Sequence, residues 1–123
     1  MIQPQTRLKA VDNSGARYVQ CIKILKGFNG SIGEPGDIIL VSVRDLRLAR
    51  KVKKGEIHLG VVVRTSKENH YKDGSFTKFK TNSIILLNKK RRILGTRIFS
   101  PISKKLRQKK FVRLLLMAKN NII

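Results

Sequence analysis

The amino-acid sequence predicts a mainly β fold: a small five-stranded β-barrel with a projecting basic loop or ribbon and one or two short C-terminal helices. Three observations carry that expectation. Short runs rich in Val, Ile and Leu recur through the first two-thirds of the chain, turn residues separate them, and helical spacing of apolar residues begins only beyond Arg97. A sheet of so few strands would leave bare edges, and closing it into a barrel removes them.

The strand candidates are Arg7 to Val11, Tyr18 to Leu25, Asp37 to Val43, Ile57 to Thr65, Phe76 to Phe79 and Ser83 to Leu87. Asn13-Ser14-Gly15, Pro35-Gly36, Lys54-Gly55 and Asp73-Gly74 punctuate them, as turns require. Glycines at 27, 30, 33 and 36 form a loop, since so few repeats with little proline cannot wind a collagen helix. No Gly-Lys-Ser/Thr closes that loop into a phosphate cradle. The run Val61-Val62-Val63 predicts a strand buried on both faces, with Val61 and Val63 on one side and Val62 and Arg64 on the other, Arg64 emerging at the strand's end. The acid-free stretch from Arg47 to Lys54 is expected to project as the basic loop or ribbon. Farther on, Phe111, Leu114, Leu115 and Ala118 fall on one helix face, with Lys109, Lys110, Arg113 and Lys119 off it. A second short helix is expected near Pro101 or Ser103, where proline suits a first turn and serine an N-cap. Residues 1–123 thus read as a single domain, barrel to about residue 99 and helical from about residue 100.

Charge points to the partner. The chain carries 28 Lys+Arg against 7 Asp+Glu, a net charge of +21, with a pI near 11.1. Like charges within a Debye length of about 8 Å destabilise a compact chain until a polyanion neutralises them. Nucleic acid is the expected polyanion, because Lys and Arg displace its condensed counterions. No membrane partner is expected, since no apolar run approaches the roughly 20 residues of a span. The cations expected to meet RNA are Arg17, Arg44, Arg47, Arg50, Lys51, Lys53, Lys54, Arg64, Lys67, Lys89, Lys90, Arg91, Arg92, Lys104, Lys105 and Arg107. Arginines supply planar forks for phosphate and lysines supply point charges. With five Phe, two Tyr and no Trp, stacking platforms are scarce, Tyr18, Tyr71 and Phe28 being the exposed candidates. Recognition of a folded RNA through phosphates and 2′-hydroxyls fits that composition better than reading of single strands.

Other chemistry is poorly supplied. Cys21 is the only cysteine, set in the apolar run YVQCIKIL, and reads as a small core residue. His58 and His70 stand twelve positions apart with no ligand at metal spacing, so neither a metal nor another cofactor is expected. Asp12, Glu34, Asp37, Asp45, Glu56, Glu68 and Asp73 are scattered, and Ser14 sits in a turn rather than a Gly-x-Ser-x-Gly elbow. The sequence therefore predicts no enzyme. MIQPQTRLKAVDNSG shows neither a signal core nor an Arg/Ser-rich presequence, so no removable address is expected.

These residues also carry a resemblance. Gly60-Val-Val-Val, then Asp73-Gly74, Phe79, Asn82 and the pair Ile85-Leu86 resemble the signature of the universal large-subunit ribosomal protein family L fourteen. MIQPQT, VDNSGAR at 11–17, CIKIL at 21–25, GDIILVSV at 36–43, KVKKGE at 51–56 and GTRIF at 95–99 agree with that family in order. The resemblance implies a five-stranded barrel with small C-terminal helices, a structural constituent of the large subunit lying on large-subunit rRNA at the subunit interface. It also implies contact with small-subunit rRNA in an intersubunit bridge and with neighbouring large-subunit proteins. By the same resemblance, Thr96, Arg97 and Arg113 mark a surface for a ribosome-silencing factor. The chain departs from the family at Lys80, where Phe79 is usually followed by Asp, at Lys105, usually acidic, at Ser100, usually glycine, and in the acid-free tail AKNNII. Abundant Lys, Ile and Asn, as in A+T-rich genomes, make an organelle-encoded, mitochondrial protein the expectation, with plastid or bacterial origin as alternatives.

Overall fold

A computed structural model of the chain describes residues 2–25, 32–47, 52–70, 72–95, 97–103, 106 and 112–118. Seven strands and one helix occur in it: β1 (Arg7–Ala10), β2 (Ala16–Ile24), β3 (Ile38–Leu46), β4 (Ile57–Arg64), β5 (Asn69–His70), β6 (Phe76–Thr77), β7 (Ser83–Leu87) and α1 (Val112–Ala118). Strands β1, β2, β3, β4 and β7 close a five-stranded barrel, while β5 and β6 make a two-stranded sheet of their own. Four of the barrel's pairings are antiparallel, and the parallel pairing of β7 with β1 closes it, Lys9 facing Ser83 and Ala10 facing Ile84. Closure leaves no barrel strand as an edge.

Alternation fills the inside. Leu8, Val19, Cys21, Ile24, Ile39, Val41, Val43, Val62, Ile84 and Leu86 are buried together there. Cys21 is thus a core residue, and burial pushes its thiol pKa up. A second apolar layer joins Val11, Val61, Val63, Ile85 and Leu87 to Ile98, Ile102, Leu106 and Leu114 from the C-terminal part. The valine run is therefore buried on both faces because Val62 points into the barrel while Val61 and Val63 lie under that C-terminal cover. Every residue of β7 is buried for the same reason.

Gly60 shares the inward face with Val62 and makes room for Ile84. A Cβ at position 60 would meet Ile84 Cγ1 at 2.8 Å, its Cδ1 closer still, and Ile85 O at 3.3 Å. The turn glycines obey a different demand. Gly55 and Gly74 hold φ of 85° and 90°, which side-chain-bearing residues rarely adopt.

Three expectations need correction in detail. The connection after β3 does not project at its described end: Val52 is buried in the barrel core, and Gly55 N–H donates to Val43 O at 2.8 Å. A ribbon exists, but it is β5–β6, around the Asp73-Gly74 turn, where Ser75 N–H donates to Asp73 Oδ1 at 3.0 Å. The expected strand Phe76 to Phe79 is accordingly half of that ribbon, and β5, only two residues long, offers no alternation to read. Arg64 does not simply emerge at the end of β4, because it is half-buried beside β7 and Pro101.

Of the expected C-terminal helices, α1 carries Leu114 buried and Arg113 exposed, as the apolar spacing requires. Near Ser103 a helical turn appears at Leu106, whose N–H donates to Ser103 O at 3.4 Å. Phe111 of that face, and Lys109, Lys110 and Lys119 off it, lie outside the described residues.

Candidate nucleic-acid interface

Among the described residues, the densest run of cations sits on one turn after β7. Asn88 organises it: its Oδ1 accepts the N–H groups of Lys90 and Arg92, each at 2.9 Å. Its N–H donates to Arg92 O at 2.8 Å, and its own carbonyl accepts Arg91 N–H at 2.9 Å. Asparagine suits this role because its short amide can satisfy backbone donors two and four residues on. Arg91 lies in the left-handed region, with φ of 62°. The result is Lys89, Lys90, Arg91 and Arg92 all exposed on a loop whose backbone is tied at four points. Cations held this way lose less entropy on docking than those of a floppy tail.

Other predicted cations are spread over the barrel. Arg17 on β2, Arg44 on β3, Lys53 and Lys54 before β4, and Lys67 after it are exposed. Arg50, Lys51, Lys104, Lys105 and Arg107 lie outside the described residues.

Two predicted arginines have structural work. Arg64 Nε–H donates to Ser83 Oγ at 2.7 Å, Nη2–H to Thr81 Oγ1 at 3.1 Å and Nη1–H to Pro101 O at 3.4 Å. Its guanidinium also lies 5.9 Å from the Phe79 ring centroid. Burial lowers its pKa, and these bonds hold the side chain between β4, β7 and the C-terminal cover. Arg47 Nη2–H donates to Ala10 O at 3.3 Å, with the guanidinium 5.4 Å from the Phe99 centroid. Both forks are thus partly engaged within the chain.

The acids explain how so basic a surface coexists with an ordered backbone. Asp37 Oδ2 accepts Glu34 N–H at 2.7 Å, Asp45 Oδ1 accepts Leu46 N–H at 2.9 Å, and Asp73 caps the ribbon turn. His58 Nε2 lies 2.7 Å from Glu56 Oε2, a bond that lowers the Glu56 pKa, and His70 Nε2 is 3.8 Å from Glu68 Oε2. Asp12 is fully buried: Ser14 Oγ–H donates to its Oδ1 at 2.7 Å and Leu86 N–H to its Oδ2 at 3.2 Å, tying the turn after β1 to β7. Desolvation raises its pKa despite those bonds.

The predicted protein-partner surface is anchored next to that turn. Asn13 Oδ1 accepts Arg97 N–H at 3.1 Å, and Phe99 N–H donates to Val11 O at 2.8 Å. A Cβ on Gly95 would stand 2.6 Å from Asn13 Oδ1, so a side chain there would push on the amide that holds Arg97 N–H. Arg97 and Arg113 are both exposed, on segments whose neighbours Ile98 and Leu114 share the outer core. Thr96 lies outside the described residues.

The closed five-stranded barrel and its cationic coat agree with one family comparison. The ribosomal protein L14p/L23e family model matches residues 1–122. This chain belongs to the ribosomal protein L14p/L23e family. A member of this family is a structural constituent of the large ribosomal subunit, located on the ribosome and serving translation, rather than an enzyme.

Within this family member the structure gathers cations that sequence reasoning passed over. Arg7 and Lys9 of β1 share a groove with Tyr18 of β2 and Lys80 before β7. The alternation in Arg7-Leu8-Lys9-Ala10 was the available signal for the first two. Nothing local to Lys80 tells that it stands opposite them.

Proposed function

We propose that this chain binds large-subunit rRNA at the subunit interface and contributes to an intersubunit bridge with small-subunit rRNA. The observation that carries the reading is the Asn88-organised turn, four exposed cations on a tied backbone, standing on a closed barrel. Exposed Arg17, Arg44, Lys53, Lys54 and Lys67 add cationic surface elsewhere on the barrel, with neighbouring large-subunit proteins as further contacts. The whole chain acts as one domain in this role. Exposed Arg97 and Arg113 support a docking surface, with Thr96, for a ribosome-silencing factor. Its Lys-, Ile- and Asn-rich composition supports an organelle-encoded, mitochondrial member of the family, with plastid or bacterial origin as the alternatives.

The test is a titration of the purified chain against a large-subunit rRNA fragment and against plain duplex DNA over a series of salt concentrations. The rRNA is expected to bind more tightly, with log K falling against log salt by about 0.9 per phosphate contacted. Alanine at Lys89, Lys90, Arg91 and Arg92 together should flatten that slope by about 0.9 for each cation that touches a phosphate. Equal affinity for both polymers favours a general DNA compactor and overturns the proposal.

A further inference from the structure

We propose that the groove between β1, β2 and the Lys80–Asn82 segment receives one unpaired nucleotide of RNA. Its base stacks on the Arg7–Tyr18 pair, and its phosphate sits between Lys9 and Lys80. The inference rests on the RNA-binding reading above and specifies where an extruded base goes.

The groove has a volume of about 600 Å³, within the range of roughly 300–1,000 Å³ that small-ligand sites occupy. It is built by strand geometry. In β1 the inward residues are Leu8 and Ala10, so Arg7 and Lys9 face out together. Antiparallel register sets Lys9 directly opposite Tyr18, and the Arg7 guanidinium lies 5.5 Å from the Tyr18 ring centroid. Tyr18 stays 36% exposed, so the Arg7–Tyr18 pair is open to solvent.

The opposite wall is fixed by backbone bonds. Lys9 N–H donates to Asn82 O at 3.1 Å, and Asn82 Oδ1 accepts Ser66 N–H at 2.8 Å, which orients its amide NH2 as a donor. Arg64 holds Thr81 from behind, which makes it a positioning residue for this wall. Among the described residues, no carboxylate lines the groove.

The chemistry selects the ligand. Three cations without an acid favour an anion, and lysines grip phosphate as point charges. The exposed Arg–Tyr pair beside them favours a π-face, which inorganic phosphate lacks. In a helix the faces of the bases are covered by their neighbours, whereas a looped-out base offers its face to such a pair.

The experiment uses the full chain and two RNA hairpins, identical except that one carries a single extruded 2-aminopurine. The bulged hairpin is expected to bind about tenfold more tightly, the gain of one stacked base, with its fluorescence quenched. Tyr18→Phe should keep both effects. Tyr18→Leu should abolish the preference. Lys80→Ala should weaken binding of the bulged hairpin and lower its salt slope by about 0.9. Equal, salt-dependent binding of both hairpins overturns the groove proposal while leaving the rRNA interface standing. Weak, salt-insensitive binding of both overturns the two together. A preference that survives Tyr18→Leu also overturns it. Should that variant not fold, a bulge preference and slope unchanged in Lys80→Ala do the same.

Discussion

Gly60→Ala probes the barrel that displays every cation discussed above. The added methyl would lie 2.8 Å from Ile84 Cγ1 and nearer to its Cδ1, with Ile85 O at 3.3 Å behind it. Ile84 is fully buried and cannot swing into solvent, so overpacking of this kind costs about 1–3 kcal/mol. Replacing glycine also reduces unfolded-state freedom, which returns about 0.4–1 kcal/mol. The net expected loss is about 1 kcal/mol. Ile84→Val alone should cost about 0.5–1.5 kcal/mol. Valine removes Cδ1, the nearest atom, but keeps a γ carbon near the place of Cγ1, and the contact with the backbone carbonyl of Ile85 stays. The double variant should therefore be more stable than the sum of the two losses implies, by about 1 kcal/mol. Urea unfolding followed by circular dichroism, in enough salt to screen self-repulsion, measures all four corners of the cycle. A Gly60→Ala chain as stable as the parent, or strict additivity, refutes the claim that Ile84 occupies the space beside Gly60.

Three further outcomes are expected. Arg64→Ala should lose about 2 kcal/mol, since three bonds from a charged, half-buried group disappear, and Arg64→Lys should recover little because lysine has no fork; urea midpoints check both. Asp12, whose pKa is raised, binds its proton more tightly folded than unfolded, so its contribution is most favourable at low pH and is lost as pH rises from the unfolded value of 3.8 through the raised one. Asp12→Asn should abolish that decline, seen as a flatter dependence of unfolding free energy on pH above about 4, whatever its effect on the absolute level. Asn88→Ala frees two exposed N–H groups that water can satisfy, so stability should fall by at most about 1 kcal/mol. Its rRNA affinity should drop while the salt slope holds, because the four cations remain but their arrangement loosens; anisotropy titration separates the two effects.

Much of the fold was legible because barrel strands repeat with a period of two. Val61-Val62-Val63 announced burial on both faces, Cys21 its place in the core, and Lys54-Gly55 and Asp73-Gly74 their turns. The stretch Arg47 to Lys54 reads as a solvated loop because it lacks acids, yet its described end does not project. Val52, inside that stretch, is instead drawn into the barrel. Among the candidate site residues, the run Lys89 to Arg92 was visible as charge, but its order came from Asn88, whose hydrogen bonds no charge count reveals. Arg64 looked like any other arginine, and only the approach of Ser83, Thr81 and Pro101 engaged its fork.

The sequence by itself determined the charge of +21, the alternation that buries one face of each barrel strand and the glycine positions that permit its turns. These are local properties, carried by side-chain chemistry and backbone freedom at each position. Which cations stand together was decided by tertiary structure alone. Parallel closure of β7 on β1 brings the segment carrying Lys80 beside Arg7 and Lys9, more than seventy residues away along the chain. Register between distant strands is set by the packing of the whole core, and it exists only once the barrel has closed.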